Sequence, residues 1–310
     1  MRRRSLAVVS ASAVLLTGLV GCSSSGTSAD GCLNPLKPGV LSNGVELTGI
    51  TDGVPSVRIA GDTGIMNAQR TVLSPGEDAQ LITGGEIVTA DVTIFDSVTG
   101  ETIAPTQTRF LQALPKEIQP DLVDFLAGGS ADSLVYTDLI MASVVCAAPG
   151  DVLAVATTAG QSVSSQLSVD PVVMVIEVLE AHGAAADGRS RALPFGFPAV
   201  TADDTGRPGV VLPPQDAPAE VRIAPAIVGS GAAVAPEDYM IGHVLTVGWD
   251  GTERANTWDT GLAEIGSESQ PASYDFRPLL TGQTVGSRVV IIDPNDGDPL
   301  VHIVDIVAVG

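Results

Sequence analysis

Apolar and polar positions alternate at the two-residue period of a strand through residues 32–181, and a second strand-rich stretch fills residues 219–310. Several runs are almost continuously apolar: residues 152–156, 172–179, 289–292 and 301–307. Their length and Val/Ile content predict strands with neighbours on both sides and a helix over one face. Helical signal is sparse. Residues 138–145 are the best candidate in the first half. Residues 120–126 are the second, with Pro120 in the first turn and Gly128 as terminator.

The two strand-rich stretches share a plan. Asp170-Pro171 opens an apolar run containing Glu177, and Asp298-Pro299 opens one containing Asp305 at the same offset. Each run is preceded by an apolar strand, at 152–156 and 289–292. Internal duplication is the economical explanation. Residues 182–218 are rich in Gly, Ala and Pro with little periodicity. They predict a linker, semi-rigid where proline is dense.

Composition adds an address. Residues 1–21 join Arg2, Arg3 and Arg4 to an apolar run at 6–20, too short for a membrane span, so they predict a signal peptide. The run ends in Leu19-Val20-Gly21-Cys22, which resembles a bacterial lipobox. That resemblance implies diacylglycerol on Cys22, a polar tether at 22–31 and a place on the extracytoplasmic face of the cell membrane. The whole chain carries a net charge of −21; without the three leading arginines, 12 basic face 36 acidic side chains, a net −24. Such a body repels phosphate backbones, which argues against nucleic acid, and repels anionic headgroups, which leaves the acyl chains as the anchor. Hydrophobic residues make up 45% and aromatics 4%, a folded composition poor in rings. Cys32 and Cys146 then form an even pair in an oxidising compartment, which reads as one disulfide. The alternative is a reactive thiol, and no CxxC supports it.

The segment 281–292, with 301–307 after it, resembles the closing strands of FKBP-type prolyl isomerases. Further pieces extend the likeness: 67–73, 84–88, 99–102 and 144–150 in the first half, 229–234, Trp249-Asp250-Gly251-Thr252 and 257–261 in the second. In order and spacing they resemble the two-domain FKBP-type lipoproteins of actinobacteria. The resemblance implies an α+β chain with two FKBP-like domains, each an antiparallel half-barrel sheet wrapped on a short helix. The domains would be 32–181 and 219–310, joined by the 182–218 linker. It also implies a monomer without cofactor, acting on proline-containing exported polypeptides.

The pocket of that family is eroded here. Its Phe-Asp pair falls on Arg254-Ala255, its tyrosine on Val244, its floor tryptophan near Phe276, and its Val-Ile pair near Ala272-Ser273. The long flap is reduced to residues 293–298. Prolyl isomerisation has a barrier of about 18–20 kcal/mol. A pocket that lowers it by desolvation and shape depends on its walls. The expectation is weak or lost catalysis, with Trp258, Asp259 and Phe276 as remnants of the site. Phe95, in a displaced Phe-Asp-Ser, reads as core. An inert binding or chaperone module is the alternative; a solute-binding lipoprotein is a further one, and would need two lobes with parallel sheets. His182, His243 and His302 have no metal-ligand spacing, and His302 reads as a satisfied sheet histidine. Residues 293–298 read as a turn rather than a calcium loop. No hydrolase triad or nucleotide fingerprint occurs.

Overall fold

The computed structural model describes residues 32, 34–77, 80–113, 136–266, 274 and 276–310. The predicted signal peptide, the tether with Cys22, the candidate helix at 120–126 and Ala272-Ser273 lie outside them.

Among the described residues, sixteen strands and a few short helices make two main sheets and two hairpins. A short helix α1 (Val40–Asn43) leads into a hairpin of β1 (Val45–Thr51) and β2 (Val54–Ile59). The first sheet contains β3 (Gln69–Ser74), β4 (Ile87–Asp96), β5 (Thr102–Gln112), β6 (Val152–Ala156) and β7 (Val172–His182), in the order β3-β6-β7-β4-β5. Helix α2 (Tyr136–Ser143) and α3 (Ala159–Ser164) flank β6 in the chain. Next come β8 (Arg189–Ser190) and a second hairpin, β9 (Ala199–Ala202) with β10 (Pro208–Val211). The second sheet holds β11 (Arg222–Val228), β12 (Met240–Gly248), β13 (Glu253–Asn256), β14 (Ala263–Ile265), β15 (Arg288–Asp293) and β16 (Leu300–Val309). Its order is β13-β12-β16-β15-β11-β8, with β14 also on β12. A four-residue helix α4 (Thr257–Thr260) follows β13, and a 3-10 turn spans Arg277–Leu280.

Taken in chain order, β3 to β7 lie in the order first, fourth, fifth, second, third. The strands β11, β12, β13, β15 and β16 lie in the same order. This repeated topology agrees with the repeated Asp-Pro runs, which open β7 and β16. Every pairing between the named strands is antiparallel. That removes the solute-binding reading, which required parallel lobes.

Two expectations are revised. The first is that a helix over one face accounts for the burial of the apolar runs: here both faces are covered. Residues on both faces of β6, β12, β15 and β16 are buried. In the first sheet one face packs with α2 residues Leu139, Ile140 and Ala142, together with Leu36, while the other takes Leu41, Val45, Leu47, Val57 and Ile59 from α1 and the first hairpin. In the second sheet one face takes Phe276 and Leu280, and the other takes Leu193, Phe197, Val200, Val210 and Leu212. The second revision follows. Residues 182–218 are not a free linker: β8 extends the second sheet and the β9–β10 hairpin covers its outer face, as β1–β2 covers the first. Strands of two to four residues are too short to show a period, so proline and glycine dominated the expectation. The short helix expected over the second sheet is a single 3-10 turn with Pro278 near its start.

Cys32 and Cys146 are joined as a disulfide with Cα atoms 5.7 Å apart. It ties the N-terminal arm to the turn after α2. Beside it Asn34 donates to the carbonyls of Ala142 at 3.0 Å and Val145 at 2.5 Å. The two sheets also touch: Phe110 meets Tyr239 edge-to-face at 5.7 Å, within an apolar cluster that includes Ile87, Ile241 and Val307.

Candidate functional site

The face of the second sheet under the 3-10 turn carries Val244 and Phe276, two of the residues expected to mark a pocket. Alternation along β12 and β16 sends Val244, Thr246, His302 and Val304 to this side. Phe276 closes over them from the residue preceding the turn. Its ring lies 4.6 Å from His302 and 5.5 Å from Tyr274. Thr246 Oγ1 and His302 Nδ1 are 3.0 Å apart, so the histidine is satisfied within the sheet. Phe276 and His302 are each only 7% exposed. Burial pushes the His302 imidazole down to about 4, against a smaller opposing pull from Asp293. It is therefore neutral at pH 7, an apolar wall with one hydrogen bond.

Trp258 and Asp259 do not join Phe276. Asn256 caps α4, its side chain accepting from Trp258 N–H at 3.1 Å. Thr257 Oγ1 accepts from Val244 N–H at 2.8 Å and lies 3.1 Å from His243 Nδ1. These bonds hold α4 against the β12 edge and turn Trp258 onto His243, with rings 4.0 Å apart and 16° from parallel. His243 alternates opposite to Val244, so this stack sits on the outer face. Asp259 forms a bidentate pair with Arg207, whose Nη2 lies 3.1 Å from Oδ2. The grouping of Trp258, Asp259 and Phe276 as one site is thus corrected, because one residue of strand parity separates the faces. Arg254 is also outside the pocket: it is exposed and pairs with Asp250 at 3.4 Å and Asp298 at 3.5 Å, and Ala255 is exposed.

The outer face carries a polar centre that pattern reading missed. Arg288 and Asp305, 2% and 1% exposed, stand opposite each other on β15 and β16 and pair through two bonds of 2.6 and 2.7 Å. The pair is completed by backbone from the 182–218 stretch: Ala186 N–H donates to Asp305 Oδ2 at 2.9 Å, and Arg288 Nη2 donates to Gly206 O. Gly206 has φ +89°, and a Cβ there would stand 2.5 Å from Ala185 Cβ and 3.5 Å from Trp258. Only glycine takes that conformation and that gap without strain. The signal available in sequence was the acid inside an apolar run. In the first sheet the matching Glu177 is half-buried and its β6 partner is Val152, so no such pair forms among the described residues.

The remaining candidates are structural. Phe95 is 4% exposed in the first core. Asp96 accepts from Thr99 and Val98 N–H at 2.8 and 2.9 Å, and these bonds hold its carboxyl below the usual range. Residues 293–298 form a turn in which Asp293 accepts from Asn295 N–H at 2.9 Å. Among the described residues no three His, Cys, Asp or Glu side chains cluster as a metal site.

Comparison with known proteins is sparse. No family model matches the chain. No curated protein matches it. Among solved structures it is similar to the three FKBP domains of wheat FKBP73, at 8% identity over 79% of this chain and 95% of that one, with a TM-score of 0.29. At that score the likeness carries no argument about this chain.

Proposed function

We propose that this chain is an exported, lipid-anchored member of the FKBP-type family, with isomerase activity weak or lost, that binds exported polypeptides in a folding-assistance role. The motif order along both halves and the repeated sheet topology support the family. The observation that carries the functional reading is the closed face beneath Phe276. Val244 is fully buried where an aromatic wall belongs, and the buried rings of Phe276 and His302 lie against each other, 4.6 Å apart and tilted by 39°. A desolvating pocket needs an open cavity with those rings free. In a refolding or protease-coupled assay on a proline peptide, turnover should fall far below that of an intact family member. Turnover matching an intact member would refute the reading. The anchor rests on the lipobox and tether: Cys22→Ala should move the protein from membranes to the medium, and unchanged fractionation would remove lipidation from the proposal.

A further inference from the structure

β8 ends the second sheet and pairs on one side only, with β11. Arg191 N–H donates to Ala226 O at 2.8 Å, and Arg189 stands opposite Val228. In an antiparallel ladder this turns the N–H and C=O of Ser190, between them, away from β11. Arg189 and Arg191 are two positions apart, so they project from one face of the strand. Both are exposed. Arg58, Arg207, Arg254 and Arg288 are paired with carboxylates, whereas Arg189 and Arg191 have no ion-pair partner among the described residues. In a chain of net charge −21 such a pair of unneutralised cations stands out.

A cleft of about 590 Å³ opens beside them, running from Ser190 and Arg191 past Leu193 and Phe197 to Val200 and Thr201. A second, of about 520 Å³, lies on the Arg189 side and shares Arg191. Phe195, in the loop that lines the larger cleft, is 93% exposed. Together these features offer a free backbone donor and acceptor, two guanidiniums on one face and an apolar wall.

We infer that the β8 edge and its cleft dock an extended acidic segment of a partner polypeptide, which adds as a strand alongside Ser190. Carboxylates at alternate positions of that strand meet Arg189 and Arg191 in charge-assisted bonds, and apolar side chains enter the cleft. Charge complementarity selects this occupant: Arg189 and Arg191 are exposed cations on an otherwise acidic body, with Asp187 the one acidic side chain lining the clefts beside them. The inference deepens the binding reading above and rests on it for the occupant being a polypeptide.

The test uses the full chain and a fluorescein-labelled peptide of alternating Glu and Val, read by anisotropy, with a Lys/Val peptide as counterpart. Saturable binding of the acidic peptide is expected, weakened about tenfold or more by Arg189→Glu with Arg191→Glu and by about 0.5 M salt. Both sites are exposed, so the variant's melting temperature should match the wild type. Ser190→Pro, which removes the edge donor but keeps the charge, should also weaken binding. Equal binding by wild type and double variant, equal binding of the Lys peptide, or no saturable binding would overturn the inference. A dimer in sedimentation that the double variant dissolves would assign the edge to a second copy, and overturn it too. Fast prolyl turnover with peptide binding intact would sink the earlier functional reading alone; absent peptide binding with negligible turnover would sink this one alone.

Discussion

Arg70 offers a test of how much an unpaired buried charge costs this fold. It lies on β3 opposite Val155, 8% exposed, and its Nε and Nη2 have no hydrogen-bond partner among the described residues. The charge acting on it is Asp151, but the two carboxylate oxygens of Asp151 accept from Gly76 N–H at 2.8 Å and Ala148 N–H at 2.9 Å. Attraction without a bond does not offset desolvation, which pulls the guanidinium from the ordinary arginine range down to about 10. A displacement of that size corresponds to about 3 kcal/mol against the folded state at neutral pH. The sign follows from linkage: the folded pKa is lowered, so the cost is fully present below pH about 10 and is relieved as pH rises above it. Arg70→Met keeps a long stem and removes the charge. Urea unfolding at pH 7 should show a gain of about 1–3 kcal/mol with an unchanged slope, and melting should rise by about 2–4 °C for each kcal/mol. A loss of more than about 1 kcal/mol would mean that Arg70 is paired after all, and the reasoning would fail.

Two further perturbations test the second sheet. Asp305→Asn leaves Arg288 buried without its counter-charge and should cost about 3–5 kcal/mol; because Ala186 and Gly206 are tied to the same pair, limited proteolysis should then cut first within 182–218, and cleavage first elsewhere would break that link. His302 is held neutral, so its stabilising contribution is complete above pH about 6.5 and is lost as pH falls toward about 4. Denaturant titrations should show about 3 kcal/mol less stability at the acid end, and His302→Asn should flatten that slope; an unchanged slope would assign it to other groups.

What the sequence determined by itself is the run of strands, their double occurrence and the expected Cys32–Cys146 pairing. Strand period and Val/Ile runs are local properties, and the Asp-Pro openings recur because the same strand is built twice. The helix expected at 138–145 lies at Tyr136–Ser143, displaced slightly toward the N-terminus. What only the tertiary structure decided is which neighbour covers each face. Trp258 and Phe276 lie on opposite faces of the second sheet: Trp258 stacks on His243 and Phe276 packs against His302, which alternation sends to different sides, and α4 is held against β12 by Thr257 and Asn256. Residues 182–218 look like a linker because two- to four-residue strands carry no period. Their role is set by contacts with partners that lie far along the chain, Arg288 and Asp305 among them. The pairing of those two charges is a matter of register between β15 and β16, which only the folded sheet supplies.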